Sequence, residues 1–209
     1  FGLLSHFIVW LYKVMHFFNS NVTIEYAHAA YPAIVFSLSL IFFFLLVKRL
    51  FDYRVGLLAT AFLVVLPSYL FRTLGGVSDK ESFAMFLFFG AMYFFITAWQ
   101  EENLKKALVF GLLSGLFTAA VGFVWGGVNF LFLIFGLFML FEVVIKEFNK
   151  NEFYVYSAWL FSMTAVLCIF FPQRYTLSWF VFSVMTMFMF LAWSIGIIRI
   201  LLKRYNPFH

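Results

Sequence analysis

The sequence predicts an all-α protein, a polytopic transmembrane bundle of about seven spans with an N-terminal interfacial helix. Three observations predict it. The 209 residues are 65% hydrophobic and only 11% charged, and the mean hydropathy is +1.01, which excludes an ordinary water-soluble globule. The apolar residues gather into runs near the roughly 20 residues that cross a hydrocarbon core. The charged residues stand in short clusters between those runs.

Taken in order, residues 3–18, "LLSHFIVWLYKVMHFF", are apolar but carry His6, Lys13 and His16 and run into the polar patch "NSNVTIEY". That pattern fits a short interfacial or re-entrant helix better than a span. The spans then fall at roughly 27–47, 55–71, 82–99, 107–123, 125–145, 154–171 and 178–201. The fourth and fifth are separated only by the corner "GFVWGG". The opening "FGLLSHFIVW" has neither a cationic start nor a small-residue cleavage site, so it reads as part of a longer chain and not as a signal peptide.

Basic residues set the orientation. Lys48, Arg49 and Arg54, then Lys105 and Lys106, then Lys146 and Lys150, and finally Arg199, Lys203 and Arg204 fall on one side if the spans alternate. That side is read as cytoplasmic. Lys13, Glu25, Arg72, Asp79, Lys80, Glu81 and Arg174 fall on the other. The net charge of +5 is thus explained by topology, and no nucleic-acid partner is expected. A lone Cys168 excludes a disulfide framework within the chain and a cysteine metal site.

The stretch "RTLGGVSDKESF", residues 72–83, carries the chemistry. Inside a bilayer each of its charges would cost roughly 2.5–3.5 kcal/mol, so the cluster needs water and a purpose. One reading is a capping box, with Ser78 as the N-cap and Glu81 three residues on. The other is a cation site. Asp79 and Glu81 at i and i+2 can converge in front of a helix end, and hard carboxylate oxygens suit Mg²⁺ or Mn²⁺. Such an ion at a membrane surface usually serves phosphate chemistry. Gly75 and Gly76 let the loop turn back sharply.

Other features have plainer readings. Gly111 and Gly115, like Gly122 and Gly126, have the small-xxx-small spacing of close helix packing. Trp125 fits an aromatic belt or a substrate contact. Asn21-Val22-Thr23 is a glycosylation sequon, with Asn21 as the acceptor candidate. His6, His16 and His28 lack metal-ligand spacing. Arg174 in "FFPQRYTL" reads as an anion contact or, more simply, a turn residue.

Together these residues resemble the catalytic subunit of oligosaccharyltransferase, the STT3/AglB/PglB family. Arg72, "LGGV" and Asp79-Lys80-Glu81 match its second external loop. "HFFNSNVTIEY", "VGLLATAFLVVLPSYLFRTLGG", "VWGGVNFLF" and "KRYNPF" match in order along nearly the whole chain. The Asp-Lys-Glu form resembles the archaeal members.

The resemblance implies a GT-C fold, with residues 1–25 as part of the first external loop and 26–209 as an incomplete transmembrane domain. It implies transfer of a glycan from a lipid-linked polyisoprenyl phosphate or diphosphate donor to asparagine in N-x-S/T of an acceptor polypeptide. Asp79 and Glu81 would supply part of a Mg²⁺ or Mn²⁺ site, Arg72 would be their electrostatic partner and a substrate contact, and Trp125 a second contact. The location would be the cell membrane with an external site in an archaeon, or the ER membrane with a lumenal site in a eukaryote. The family's first acidic motif is expected upstream of Phe1, and its later glutamate and W-W-D motif beyond His209. Two other functions fit the same residues. One is another GT-C polyprenyl-phosphate-sugar transferase, such as a protein O-mannosyltransferase. The other is a transporter or scaffold in which Asp79 and Glu81 only cap a helix, with Glu142 the one acid inside a span.

Overall fold

A computed structural model describes residues 2–77, 79–145 and 149–205, with backbone only at 203–205. Ser78, Lys146 and the end of "KRYNPF" lie outside the described residues. The described chain forms α1 (Leu3–Phe18), α2 (Ile24–Leu50), α3 (Tyr53–Val65), α4 (Pro67–Leu70) and α5 (Lys80–Trp99). It continues through α6 (Leu104–Val124), α7 (Val128–Ile145), α8 (Lys150–Phe170), α9 (Leu177–Phe182) and α10 (Met187–Tyr205). Five of these, α2, α5, α6, α7 and α8, are long and apolar enough to cross a membrane.

The other two expected spans are helical but interrupted. In 55–71 the break comes at Leu66, which is extended (φ −68°, ψ 112°) because the residue before a proline is driven out of the helical region. Pro67 then opens α4, where its missing N–H costs nothing. In 178–201 the break falls at 183–186, where Ser183 is extended and Met187 N–H donates to its carbonyl at 2.8 Å. The buried Thr186 hydroxyl donates to the Phe180 carbonyl at 2.5 Å, satisfying a group that would be costly left bare in lipid.

The chain divides into two compact units, residues 1–96 with 120–125, and residues 97–119 with 126–209. In the first, α1 and α3 pack on α2. α1 turns Ile8 and Leu11 inward and leaves Trp10, Phe17 and Phe18 exposed. Phe7 stacks on Phe83 of α5 with centroids 4.6 Å apart. Tyr31 and Val35 of α2 are fully buried, and Ser39 and Tyr69 hydroxyls share a hydrogen bond of 2.5 Å. Asp52 and Thr23 cap α3 and α2 with their side chains.

In the second unit the seam between α6 and α8 is built on glycine. A methyl group on Gly111 would lie 3.0 Å from the Val155 carbonyl, and one on Gly115 only 2.6 Å from the Trp159 carbonyl. Gly111 and Gly115 therefore do pack as their spacing predicts. Gly126 does not repeat this, because it sits in the turn between α6 and α7. Trp159, fully buried, donates its indole N–H to Thr118 at 3.0 Å, and Thr118 donates to the Ser114 carbonyl at 2.8 Å. Such pairs let polar atoms survive in an apolar core.

Candidate functional site

The charged loop begins where α4 ends. One turn of helix after Pro67 brings the chain to Arg72, whose N–H donates to the Tyr69 carbonyl at 3.2 Å, and Thr73 holds the same carbonyl through its hydroxyl at 3.0 Å. Leu74 and Val77 then close a turn, with the Val77 N–H on the Leu74 carbonyl at 3.1 Å. Gly76 has φ +86°, a conformation that only glycine takes without strain. Its N–H donates to the carbonyl of Ala29, on α2, at 2.8 Å. Pro32 lies three residues along that helix and brings no N–H to its ladder.

The loop ends on Asp79, immediately before α5. Asp79 Oδ1 accepts the Glu81 N–H at 3.1 Å, so the aspartate itself caps the helix. The capping box placed this role on Ser78, which lies outside the described residues. The Asp79 carbonyl accepts the Ser82 hydroxyl at 2.8 Å and the buried Tyr31 hydroxyl at 2.9 Å.

Three of the sequence-predicted site residues come together here. Arg72 Nη1 lies 3.3 Å from Asp79 Oδ2 and is also hydrogen-bonded to Glu81 Oε2. Two carboxylates thus converge on one cationic nitrogen, each presenting one oxygen. Their side chains are 28% and 24% exposed, against 52% for Arg72, so both acids are reachable yet partly shielded. A cleft of about 300 Å³ runs alongside. Arg72 and Glu81 form its charged wall, and Leu63, Leu66, Met85 and Phe89 its apolar one.

The remaining predicted residues lie elsewhere. Trp125 follows α6, its N–H on the Val121 carbonyl at 2.7 Å, and it does not line the cleft. Asn21 is exposed in the turn between α1 and α2, and the Thr23 hydroxyl of its sequon accepts the Tyr26 N–H at 3.3 Å. Arg174 follows α8 and rests over the Tyr175 ring at 5.4 Å. Burial pushes the Tyr175 phenol up, which the Arg174 charge partly offsets. Glu142 is buried within α7. Among the described residues no group of three or more His, Cys, Asp and Glu gathers to hold a metal.

The residue that sequence reasoning missed is Tyr31. It stands 48 positions before Asp79 in a chain that is 24% aromatic, so nothing in the pattern sets it apart.

Fold and loop together define an integral, multi-pass helical membrane domain with a paired-carboxylate loop at the start of one span. The chain belongs to the oligosaccharyl transferase STT3, N-terminal, family, whose model matches residues 1–205. It is 29% identical over 160 residues to a dolichyl-phosphooligosaccharide-protein glycotransferase of Methanococcus voltae, covering 75% of this chain and 17% of that protein. It is 25% identical over 112 residues to the STT3 subunit of the Saccharomyces cerevisiae dolichyl-diphosphooligosaccharide–protein glycosyltransferase, covering 54% of this chain and 15% of that one. The chain therefore spans about a sixth of the length of these relatives.

The apo crystal structure of the Archaeoglobus fulgidus oligosaccharyltransferase matches with a TM-score of 0.74 at 20% identity, over 95% of this chain and 25% of that one. At this identity the likeness shows the fold. Further structures of that enzyme hold zinc and sulfate (TM-score 0.67), or an inhibitory peptide and a dolichol-phosphate (TM-score 0.69). In another an acceptor peptide containing the NVT sequon is tethered by a disulfide.

Proposed function

We propose that this chain is the donor-side membrane part of an oligosaccharyltransferase, which transfers a glycan from a lipid-linked polyisoprenyl phosphate or diphosphate to asparagine in N-x-S/T. The observation that carries it is the convergence of Asp79 Oδ2 and Glu81 Oε2 on a single positively charged atom. The family assignment, the solved relative's dolichol-phosphate and its NVT peptide support the substrate classes.

The donor set suits a hard cation, Mg²⁺ or Mn²⁺, because both contributing atoms are carboxylate oxygens already drawn to one point. The pair supplies part of a coordination shell. When bound, such an ion stabilises charge developing on the phosphate that leaves the anomeric carbon. The chain's own residues do the rest. Asp79 and Glu81 hold the position, and Arg72 balances their charge and contacts the phosphate. The apolar wall of the cleft sits where an isoprenoid chain can remain in lipid while its head group meets the acids. In this reading the 72–81 loop faces the extracytoplasmic side, α1 lies in the interface, Trp125 contacts substrate outside the cleft, and Asn21 is a modification acceptor.

Replacing Asp79 and Glu81 together by Ala in the complete enzyme is expected to lower metal-dependent transfer by about a hundredfold or more. Transfer rates equal to wild type at every metal concentration would rule the pair out.

A further inference from the structure

Asp79 is not placed by its own loop alone. Its carbonyl sits at the meeting point of two elements: Ser82 reaches it from the first turn of α5 at 2.8 Å, and Tyr31 reaches it from α2 at 2.9 Å. Tyr31 is fully buried, so its ring is fixed by packing and its hydroxyl has a defined direction. Ala29, two residues earlier on α2, takes the Gly76 N–H at 2.8 Å. The loop is thus tied to one helix at both ends of the stretch from Gly76 to Asp79. The Asp79 side chain is constrained in turn, because Oδ1 is committed to the Glu81 N–H and only Oδ2 is left to face Arg72.

We propose that Tyr31, assisted by Ser82, is a positioning residue for the acidic pair: it fixes the Asp79 backbone from α2 so that Oδ2 meets Glu81 Oε2 at a single cation-binding point. The inference rests on the proposed role of that pair. A group that aims a ligand's backbone typically affects metal affinity by 10–100-fold when removed, although it never touches the ion. Tyr31 touches neither substrate nor metal in this arrangement. It acts through Asp79.

The test measures Mn²⁺ binding to the complete polypeptide in detergent, from the loss of the free-ion electron paramagnetic resonance signal. Tyr31→Phe keeps the ring and removes only the hydroxyl, and is expected to weaken Mn²⁺ roughly tenfold. Ser82→Ala removes the other donor and is expected to weaken it in the same direction. It carries the test alone if Tyr31→Phe does not fold. Asp79→Asn distinguishes the two levels of the reading. If it abolishes Mn²⁺ binding while Tyr31→Phe and Ser82→Ala bind as wild type, the anchoring role is overturned and the acidic pair stands. If Asp79→Asn also binds as wild type, the pair itself fails, and the anchor with it.

Discussion

Asp79 divides its two oxygens between different tasks. Oδ1 closes the first turn of α5, and Oδ2 faces the Arg72 guanidinium. Capping and charge can therefore be separated at this one position. Asparagine caps as well as aspartate, whereas alanine does not. Asp79→Asn is expected to keep wild-type stability, while Asp79→Ala loses about 1 kcal/mol, read from denaturation midpoints in detergent. Both are expected to lose metal-dependent transfer. If Asp79→Asn retained transfer, the cap would be the whole purpose of the residue.

Element by element, the sequence located the helices well because period and length govern them. The expected spans at 82–99, 107–123, 125–145 and 154–171 lie within a few residues of α5, α6, α7 and α8. The interruption at Pro67 was legible in principle, since the residue before proline resists the helical conformation. The apolar run of 55–71 masked it. The break at 183–186 had no such signal: "SVMT" holds neither glycine nor proline, and the helix yields where the Thr186 hydroxyl captures the Phe180 and Ser183 carbonyls. The α6–α8 seam was legible through its glycine spacing. Its tightness gives a direct prediction. Gly115→Ala would drive a methyl into Ser162 Oγ and set it 2.6 Å from the Trp159 carbonyl, and the backbone oxygen cannot rotate away. About 1–3 kcal/mol of stability is expected to be lost, measured as earlier thermal aggregation in detergent.

For the whole molecule, the identity of the acidic loop was readable because charges are rare here and ten residues hold Arg72, Asp79, Lys80 and Glu81 together. Its geometry was not. That depends on Tyr31 and Ala29, which are distant in sequence and ordinary in type, and on Gly76, whose positive φ only the fold reveals. Length sets a further expectation. The chain covers 17% and 15% of the M. voltae and S. cerevisiae relatives. These 209 residues by themselves are expected to give no glycan transfer and no sequon-specific peptide binding, checked with a fluorescent N-x-T peptide and a lipid-linked donor. Measurable product would mean that the acidic pair and its cleft are sufficient.

The glycine seam has a mechanical meaning as well. Where α6 and α8 meet at Gly111 and Gly115, the Val155 and Trp159 carbonyls lie against bare Cα atoms, with only the short side chains of Ala158 and Ser162 beside them. At these two positions α6 and α8 lie like two plies of a laminate. Little side-chain freedom is left there to take up a sliding of α6 along α8.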